Sequence, residues 1–259
     1  MAISLRAKIV GQKREDQQVI IHKPDISESE KFSLDGLSYT KQRDYFKSGI
    51  NICIREGLVF SNGFECEITS KIPIQAGVGS SSAVMVNWIH FLSHMADDPV
   101  IWNEKKIGEL AYKAEVLEFN EPGGMMDQYT ASIGHMLYLI SEPTISIKSL
   151  NPSLGSFVLG DSCEPKDTMR ILQRCRDARV KIIQKLKGKT PNFNIHTNED
   201  IDLSFLNEEE KNIFRGTIKN RNILRKVLPE LKREGPEPAL IGTILNEHHG
   251  VLRLSLIHI

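Results

Sequence analysis

The 259-residue sequence predicts an α+β protein, and three observations carry that prediction. Up to about residue 150, short alternating or apolar runs interleave with segments whose apolar residues recur every three or four positions, the periods of strand and helix. Beyond Asp161 the helical period dominates. Within the first regime, at Lys71–Ala83, the run K-I-P-I-Q-A-G-V-G-S-S-S-A sets a glycine–serine loop after a strand and before a helix. The length suffices for two modest lobes or one large domain, and a soft boundary falls near residue 150.

In chain order, Ile3–Val10 and Gln18–His22 read as strands joined by G-Q-K-R-E-D-Q. Lys23–Leu37 is polar, carries Pro24 and Gly36, and reads as loop. Thr40–Gly57 places Tyr45, Phe46, Ile50, Cys53 and Ile54 at helical spacing. Asn62-Gly63 marks a turn, and Phe64–Ile68 alternates as a half-buried strand leading into the loop. The helix after the loop has a stripe at Val84, Trp88, Phe91, Leu92 and Met95, which is core. His90 and His94 share that helix, but a metal role lacks a nearby carboxylate or thiolate partner. A second helix from Asn103 to Glu118 packs through Ile107, Leu110, Ala111, Ala114 and Leu117. Helical arithmetic puts Glu115 at the edge of that face and Glu118 nearer its middle. A carboxylate there is costly unless it is paired or bound to a cation, so either the helix ends near Glu118 or one of the acids has a task.

The turn Glu121–Gln128 leads to a small-residue helix, Tyr129–Gly134, with Asp127 near its start, where a capping acid is favoured. Strands follow at Met136–Ile140, Ile145–Ile147 and Phe157–Gly160. Three helices complete the chain: Thr168–Lys187, stopping at Gly188 and Pro191, then Glu208–Leu228, ended or kinked by Pro229, and Pro238–Arg253. The basic run K-L-K-G-K at Lys185–Lys189 reads as a solvated helix end.

Composition narrows the function. With 33 basic and 33 acidic residues, no global field favours nucleic acid or an anionic membrane. No apolar run approaches membrane-spanning length and the N-terminus has no secretory h-region, so neither membrane nor nucleic-acid partners are expected, and a cytoplasmic monomer is. The four cysteines (Cys53, Cys66, Cys163 and Cys175) show no C-x-x-C or metal-type spacing and read as reduced thiols.

The loop itself has three readings. Alternate glycines at Gly77 and Gly79 permit positive φ and close approach of a ligand, and Ser80, Ser81 and Ser82 stand where a helix would present free N–H groups and a partial positive charge. Together these are the parts of a phosphate cradle. A Walker-type loop would require a lysine before its Ser/Thr, and none follows Lys71. A dinucleotide fingerprint would require a third glycine where Ser82 stands. The plain alternative is a small-residue turn capping a helix.

Context favours the cradle. Lys71–Ala83 resembles the second signature of the GHMP small-molecule kinases. A-E-V-L-E-F-N-E-P-G-G-M-M-D-Q, ending at Gln128, resembles the galactokinase-type segment of that superfamily, and L-N-E-H-H-G-V-L-R at Leu245–Arg253 is similar to a late helix of the same chains. The resemblance implies the two-lobed GHMP kinase fold: an N-terminal lobe like ribosomal protein S5 domain 2 over residues 1–150, and a partial ferredoxin-like C-terminal lobe over 151–259. It implies ATP and Mg2+ as cofactors, with Ala76, Gly77, Val78, Gly79, Ser80, Ser81 and Ser82 holding the phosphates. Ser82 and Glu115 would bind the metal, since Glu115 lies at the family's spacing of twelve residues before the catalytic acid. Asp127 would be that acid, accepting the proton of a sugar hydroxyl. Hard oxygen ligands suit Mg2+, and phosphoryl transfer asks mainly for positioning and charge neutralisation.

Three departures accompany the resemblance. The family's Pro-Gly-Arg motif would precede Met1, its third glycine-rich loop would follow Arg253, and a sugar-contacting Tyr expected between Met169 and Arg176 is absent. The expectation is therefore a chain truncated at both ends, with Leu254–Ile259 a non-native tail, that binds MgATP weakly and phosphorylates sugars poorly until the upstream segment is restored. Two alternatives keep the fold: a fucose- or heptose-type kinase, and a non-catalytic regulator responsive to sugar and ATP.

Overall fold

The computed structural model of the protein describes residues 1–160, 168–190, 192–197 and 201–255. It comprises two units, one built on Met1–Ser149 and the other on Leu150–Gly160 with Met169–Ile259. Asp161, Cys163, Pro191 and the tail beyond Ser255 lie outside the described residues.

The first unit rests on a four-stranded sheet of order β1-β4-β2-β3, with β1 at Ala7–Lys13, β2 at Gln18–Lys23, β3 at Glu28–Ser33 and β4 at Phe64–Ser70. β4 runs antiparallel to β1 and parallel to β2, and β2–β3 is an antiparallel pair. The expected N-terminal strand is shifted toward the turn. The segment read as loop at Lys23–Leu37 instead contains a single 3-10 turn, Pro24–Ile26, and then β3. Pro24 punctuates the chain for one turn only. The polar residues after it suit an edge strand, where Lys23 pairs with Glu28 and Glu30 at 2.8 Å and Lys41 also reaches Glu30.

Helices α1 (Tyr45–Arg55), α2 (Ser80–Met95) and α3 (Glu104–Tyr112) share one core with this sheet. Val19, Ile21, Phe64 and Cys66 point into it from the strands, with Ile50 and Cys53 from α1 and Trp88, Ile89 and Leu92 from α2. The alternation of Phe64–Ile68 and the stripe of α2 thus have one cause: the period of each element brings its apolar residues to the shared face. Burial holds the Cys66 thiol up at about 12, so it is an inert core group. Cys53, Cys66 and Cys175 are all free.

After α3 the helix continues as one π-helical turn, Lys113–Leu117, and then breaks. Two five-residue hydrogen bonds mark it, from Glu118 N–H to Lys113 O and from Glu121 N–H to Val116 O, each 2.9 Å. The wider turn changes the helical phase, so Ala114, Glu115 and Val116 are buried in succession while Leu117, counted above as core, is 55% exposed. Glu118 turns outward to a fork of hydrogen bonds from Arg55, one of 2.7 Å, and receives the Tyr39 hydroxyl.

The helix that follows, α4, runs from Met126 to Ile133, three residues earlier than the small-residue pattern suggested. β5 (Met136–Ile140) and β6 (Ser146–Leu150) form a separate two-stranded sheet. No strand forms at Phe157–Gly160, although the sequence there is apolar; no ladder partner adjoins it among the described residues.

In the second unit the regular elements among the described residues are α5 (Thr168–Lys189), α6 (Glu208–Leu231) and α7 (Pro238–Ser255). α6 opens on a complete capping box between Asn207 and Glu210 and accommodates Pro229 in its last turn, ending two residues later. Ile182, Leu186, Phe193 and Phe214 form one apolar cluster, and Ile223, Ile244 and Val251 another. On α6 the inward set includes Phe214 and Ile223, whereas Leu224 is exposed.

Two ionic clusters give the first unit an acid-sensitive component. Hydrogen bonds from Lys106 and Lys113 hold the Glu56 carboxyl below the usual carboxylate range, and those from Arg55 and Tyr39 do the same for Glu118. A folded pKa below the unfolded value means that stability is present above the ordinary glutamate pKa of about 4.3 and is lost as pH falls through the folded value. The melting temperature is therefore expected to drop from about pH 5 downward, and less steeply in a Glu56→Gln/Glu118→Gln double variant, each pair contributing about 1 kcal/mol or less. An equally steep drop in the variant would move the acid lability elsewhere.

Candidate active site

The glycine–serine loop leaves β4 at Ser70, whose N–H donates to Asp25 Oδ2 at 2.6 Å and whose hydroxyl accepts from Ile72 N–H at 3.1 Å. Gln75, Gly77 and Gly79 then take φ of +58°, +75° and +69°, the left-handed region that glycine enters without penalty. Gly79 is the residue preceding the first turn of α2, and no side chain caps that turn. The first bond back to the loop is from Ala83 N–H to Gly79 O at 3.0 Å. The amides of Ser80, Ser81 and Ser82 are thus the donors that a helix leaves without internal acceptors, at the positive end of its dipole.

A second group meets α2 from the π-helical turn. Glu115 is 5% exposed, and its hydrogen-bond partners among the described residues are uncharged. Burial pushes its carboxyl above the usual range, the Gln128 amide and the Ser81 and Ser82 hydroxyls pull it back, and the Glu121 carboxylate pushes it up again. Gln128 Nε2 donates to Glu115 Oε2 at 2.7 Å and to Ser82 Oγ at 3.1 Å, joining three elements at one buried point. The π-helical turn selects Glu115 over Glu118 as the inward acid, a choice that ideal helical arithmetic left open.

Asp127 stands one residue away, in the first turn of α4, with its carboxyl exposed. A Cβ added to Gly79 would sit 3.4 Å from Asp127 Cγ and Oδ2, so the carboxyl lies directly against the loop's second glycine. Gly108 on α3 sets this approach. A side chain there would come within 2.6 Å of Ser132 Oγ and 2.9 Å of Tyr129 Cδ1 on α4. Gly77, Val78, Gly79 and Asp127 line a cavity of about 860 Å³ in the first unit, together with Asn87, His90 and Trp102. The turn before α4 is pinned to α1 by the Tyr45 hydroxyl, which donates to Glu121 at 3.1 Å, and to the turn preceding α1 by Arg43–Glu121 at 2.6 Å.

The structure therefore brings Gly79, Ser82, Glu115 and Asp127 to one end of α2. His90, on the wall of the same cavity, faces His94 with their Nε2 atoms 3.2 Å apart, and no group of three His, Cys, Asp or Glu is placed to hold a metal among the described residues. Sequence reading passed over Gln128. The available signal was an amide beside a candidate acid at a helix start, where neighbours are turned about 100° from one another, Asp127 outward and Gln128 inward.

Residues 44–135 match the GHMP kinases N terminal domain. Over 123 residues the chain is 32% identical to D-glycero-alpha-D-manno-heptose 7-phosphate kinase of Campylobacter jejuni, covering 47% of this chain and 36% of that protein. Over 140 residues it is 31% identical to galactokinase of Pyrococcus furiosus, covering 52% of this chain and 37% of that protein. The crystal structure of Lactococcus lactis galactokinase complexed with galactose superposes with a TM-score of 0.70 at 17% identity, over 98% of this chain and 68% of that one. The α+β fold with a glycine–serine loop at the mouth of α2 is thus shared with that galactokinase structure. Over residues 44–135, then, the chain carries a GHMP kinases N terminal domain. It spans little more than a third of the length of the heptose-phosphate kinase and galactokinase relatives.

Proposed function

We propose that the protein is an ATP-dependent sugar kinase of galactokinase type, transferring the γ-phosphoryl group of MgATP to a sugar hydroxyl. The observation that carries this reading is the contact between the Asp127 carboxyl and Gly79, which sets a proton acceptor beside the free amides of α2.

The residues present fit a divalent cation. Glu115 is a buried carboxylate without a charged partner, Ser82 supplies a hydroxyl beside it, and Gln128 Oε1 is buried with no hydrogen-bond partner among the described residues. One carboxylate and neutral oxygens are the donor set suited to Mg2+, which keeps waters and substrate phosphates in its shell. Ser82 and Glu115 would hold the ion, and when bound it supplies neutralisation of phosphate charge.

The chain's own residues supply the rest. Amides of the loop from Ala76 to Ser82 donate to phosphate oxygens, and Gly77 and Gly79 let those oxygens approach the backbone. Asp127 orients the acceptor hydroxyl and takes its proton as it attacks. Trp102 and Asn87 on the cavity wall offer an apolar and a hydrogen-bonding surface to the organic part of a ligand.

The similarity to a heptose 7-phosphate kinase supports a second reading in which the acceptor is a phosphorylated heptose. ADP release is the measurement that separates them, made on this chain and on the longest open reading frame that carries it, with galactose, fucose, heptose phosphates and mevalonate as acceptors. Galactose-dependent release supports the first reading and heptose-phosphate-dependent release the second. Sugar and ATP binding without release by either protein would leave a regulator on the same fold.

A further inference from the structure

Two buried side-chain polar atoms lack a hydrogen-bond partner among the described residues, and one of them, Gln128 Oε1, lies inside the candidate site. Buried polar atoms in folded proteins are almost always satisfied, so an orphan of this kind calls for a physical reason.

Gln128 is 2% exposed, and its amide nitrogen donates to both Glu115 Oε2 and Ser82 Oγ, at 2.7 and 3.1 Å. A primary amide has two N–H groups, and each is engaged by a different one of the two residues assigned to the cation. That engagement sets the orientation of the amide. Exchanging its oxygen and nitrogen would place a carbonyl oxygen against a carboxylate oxygen, two acceptors without a proton between them. The carbonyl oxygen is consequently held in the one orientation that leaves it unpartnered, next to an acid whose own charge is uncompensated.

We infer that Gln128 is a positioning residue for the divalent cation: its amide spaces Ser82 Oγ and Glu115 Oε2 as a pair of ligands, and its carbonyl oxygen accepts a hydrogen bond from the ion's water shell. The inference rests on the kinase reading only through the assignment of those two ligands. An amide serving packing alone would be replaceable by a side chain of equal volume. One that orients metal ligands would not, because groups that support ligands typically change metal affinity by about 10- to 100-fold when removed.

The test uses the full chain and MnCl2 alone, with the free ion followed by EPR. Gln128→Met keeps the volume and removes both the donors and the acceptor, so Mn2+ binding is expected to weaken by about 10- to 100-fold relative to wild type. Gln128→Asn keeps the amide but draws it back by one methylene from both ligands, so its Mn2+ affinity is expected to weaken as well, while the metal-free melting temperatures of the two variants stay near that of wild type. Mn2+ binding by Gln128→Met that is less than about 10-fold weaker, or no binding by wild type, would each overturn the inference, and where Gln128→Met does not fold the same threshold applied to Gln128→Asn decides. The two readings separate cleanly. Gln128-dependent Mn2+ binding without ADP release from any acceptor sinks the kinase reading alone, whereas ADP release with Mn2+ binding indifferent to Gln128→Met sinks this inference alone.

Discussion

Asp127→Asn is expected to lower the rate of sugar-dependent ADP release by about 10²- to 10⁴-fold, the range that a positioned general base contributes. The substitution keeps size and hydrogen-bonding reach but removes the proton acceptor. The carboxyl it alters lies against Gly79, while the amides offered to phosphate belong to Ser80, Ser81 and Ser82. Binding of a non-hydrolysable ATP analogue should therefore stay close to wild type, so the loss appears in kcat rather than in nucleotide affinity. Equal turnover in the variant would remove Asp127 from the chemistry and leave it a capping residue of α4. A loss of nucleotide affinity as large as the loss of rate would assign it to phosphate binding instead.

Trp88→Ala should destabilise the first unit by about 3–5 kcal/mol, measured by urea unfolding, as for other aromatic truncations in filled cores. Trp88 has no exposed surface, and its ring meets Phe46, Phe64 and Phe91 at centroid distances of 5.1, 5.6 and 5.6 Å, the last of these stacked. Its indole N–H donates to Phe46 O at 3.0 Å, and Gly49 on α1 lies so close that a Cβ there would be 2.5 Å from Trp88 Cδ1. A chain packed this tightly around one ring cannot collapse onto the space it leaves. Trp88→Phe should cost less, because it retains aromatic packing and loses mainly the indole benzo ring and the N–H. A Trp88→Ala variant within about 1 kcal/mol of wild type would show that α2 is held by something other than this core.

The elements that sequence reading placed correctly are those whose signal is local. α2 could be placed because glycines at 77 and 79 and serines from 80 mark a helix start, and its apolar stripe repeats at the helical period. β4 was visible for the equivalent reason at period two, and β2 as a short apolar run after a polar turn. β3 was missed because an edge strand need not be apolar: its glutamates pair with Lys23 on β2 and with Lys41, which no local pattern reveals. Phe157–Gly160 erred the other way, since apolar content is no substitute for a ladder partner.

For the site, the chain's order of residues specified which groups were chemically eligible: a loop able to take left-handed turns, a hydroxyl at a helix mouth, two glutamates and an aspartate. Choosing among them and bringing them together were long-range events. The five-residue bonds after Tyr112 rotated Glu115 inward and Glu118 out to Arg55, the bare face of Gly108 let α4 come close to α3, and only then did Gln128 reach both Ser82 and Glu115. Eligibility follows from side-chain chemistry and local backbone preference, which neighbours in the chain impose. Convergence follows from helix phase and interhelical packing, which depend on residues far apart in the chain and exist only once it has folded.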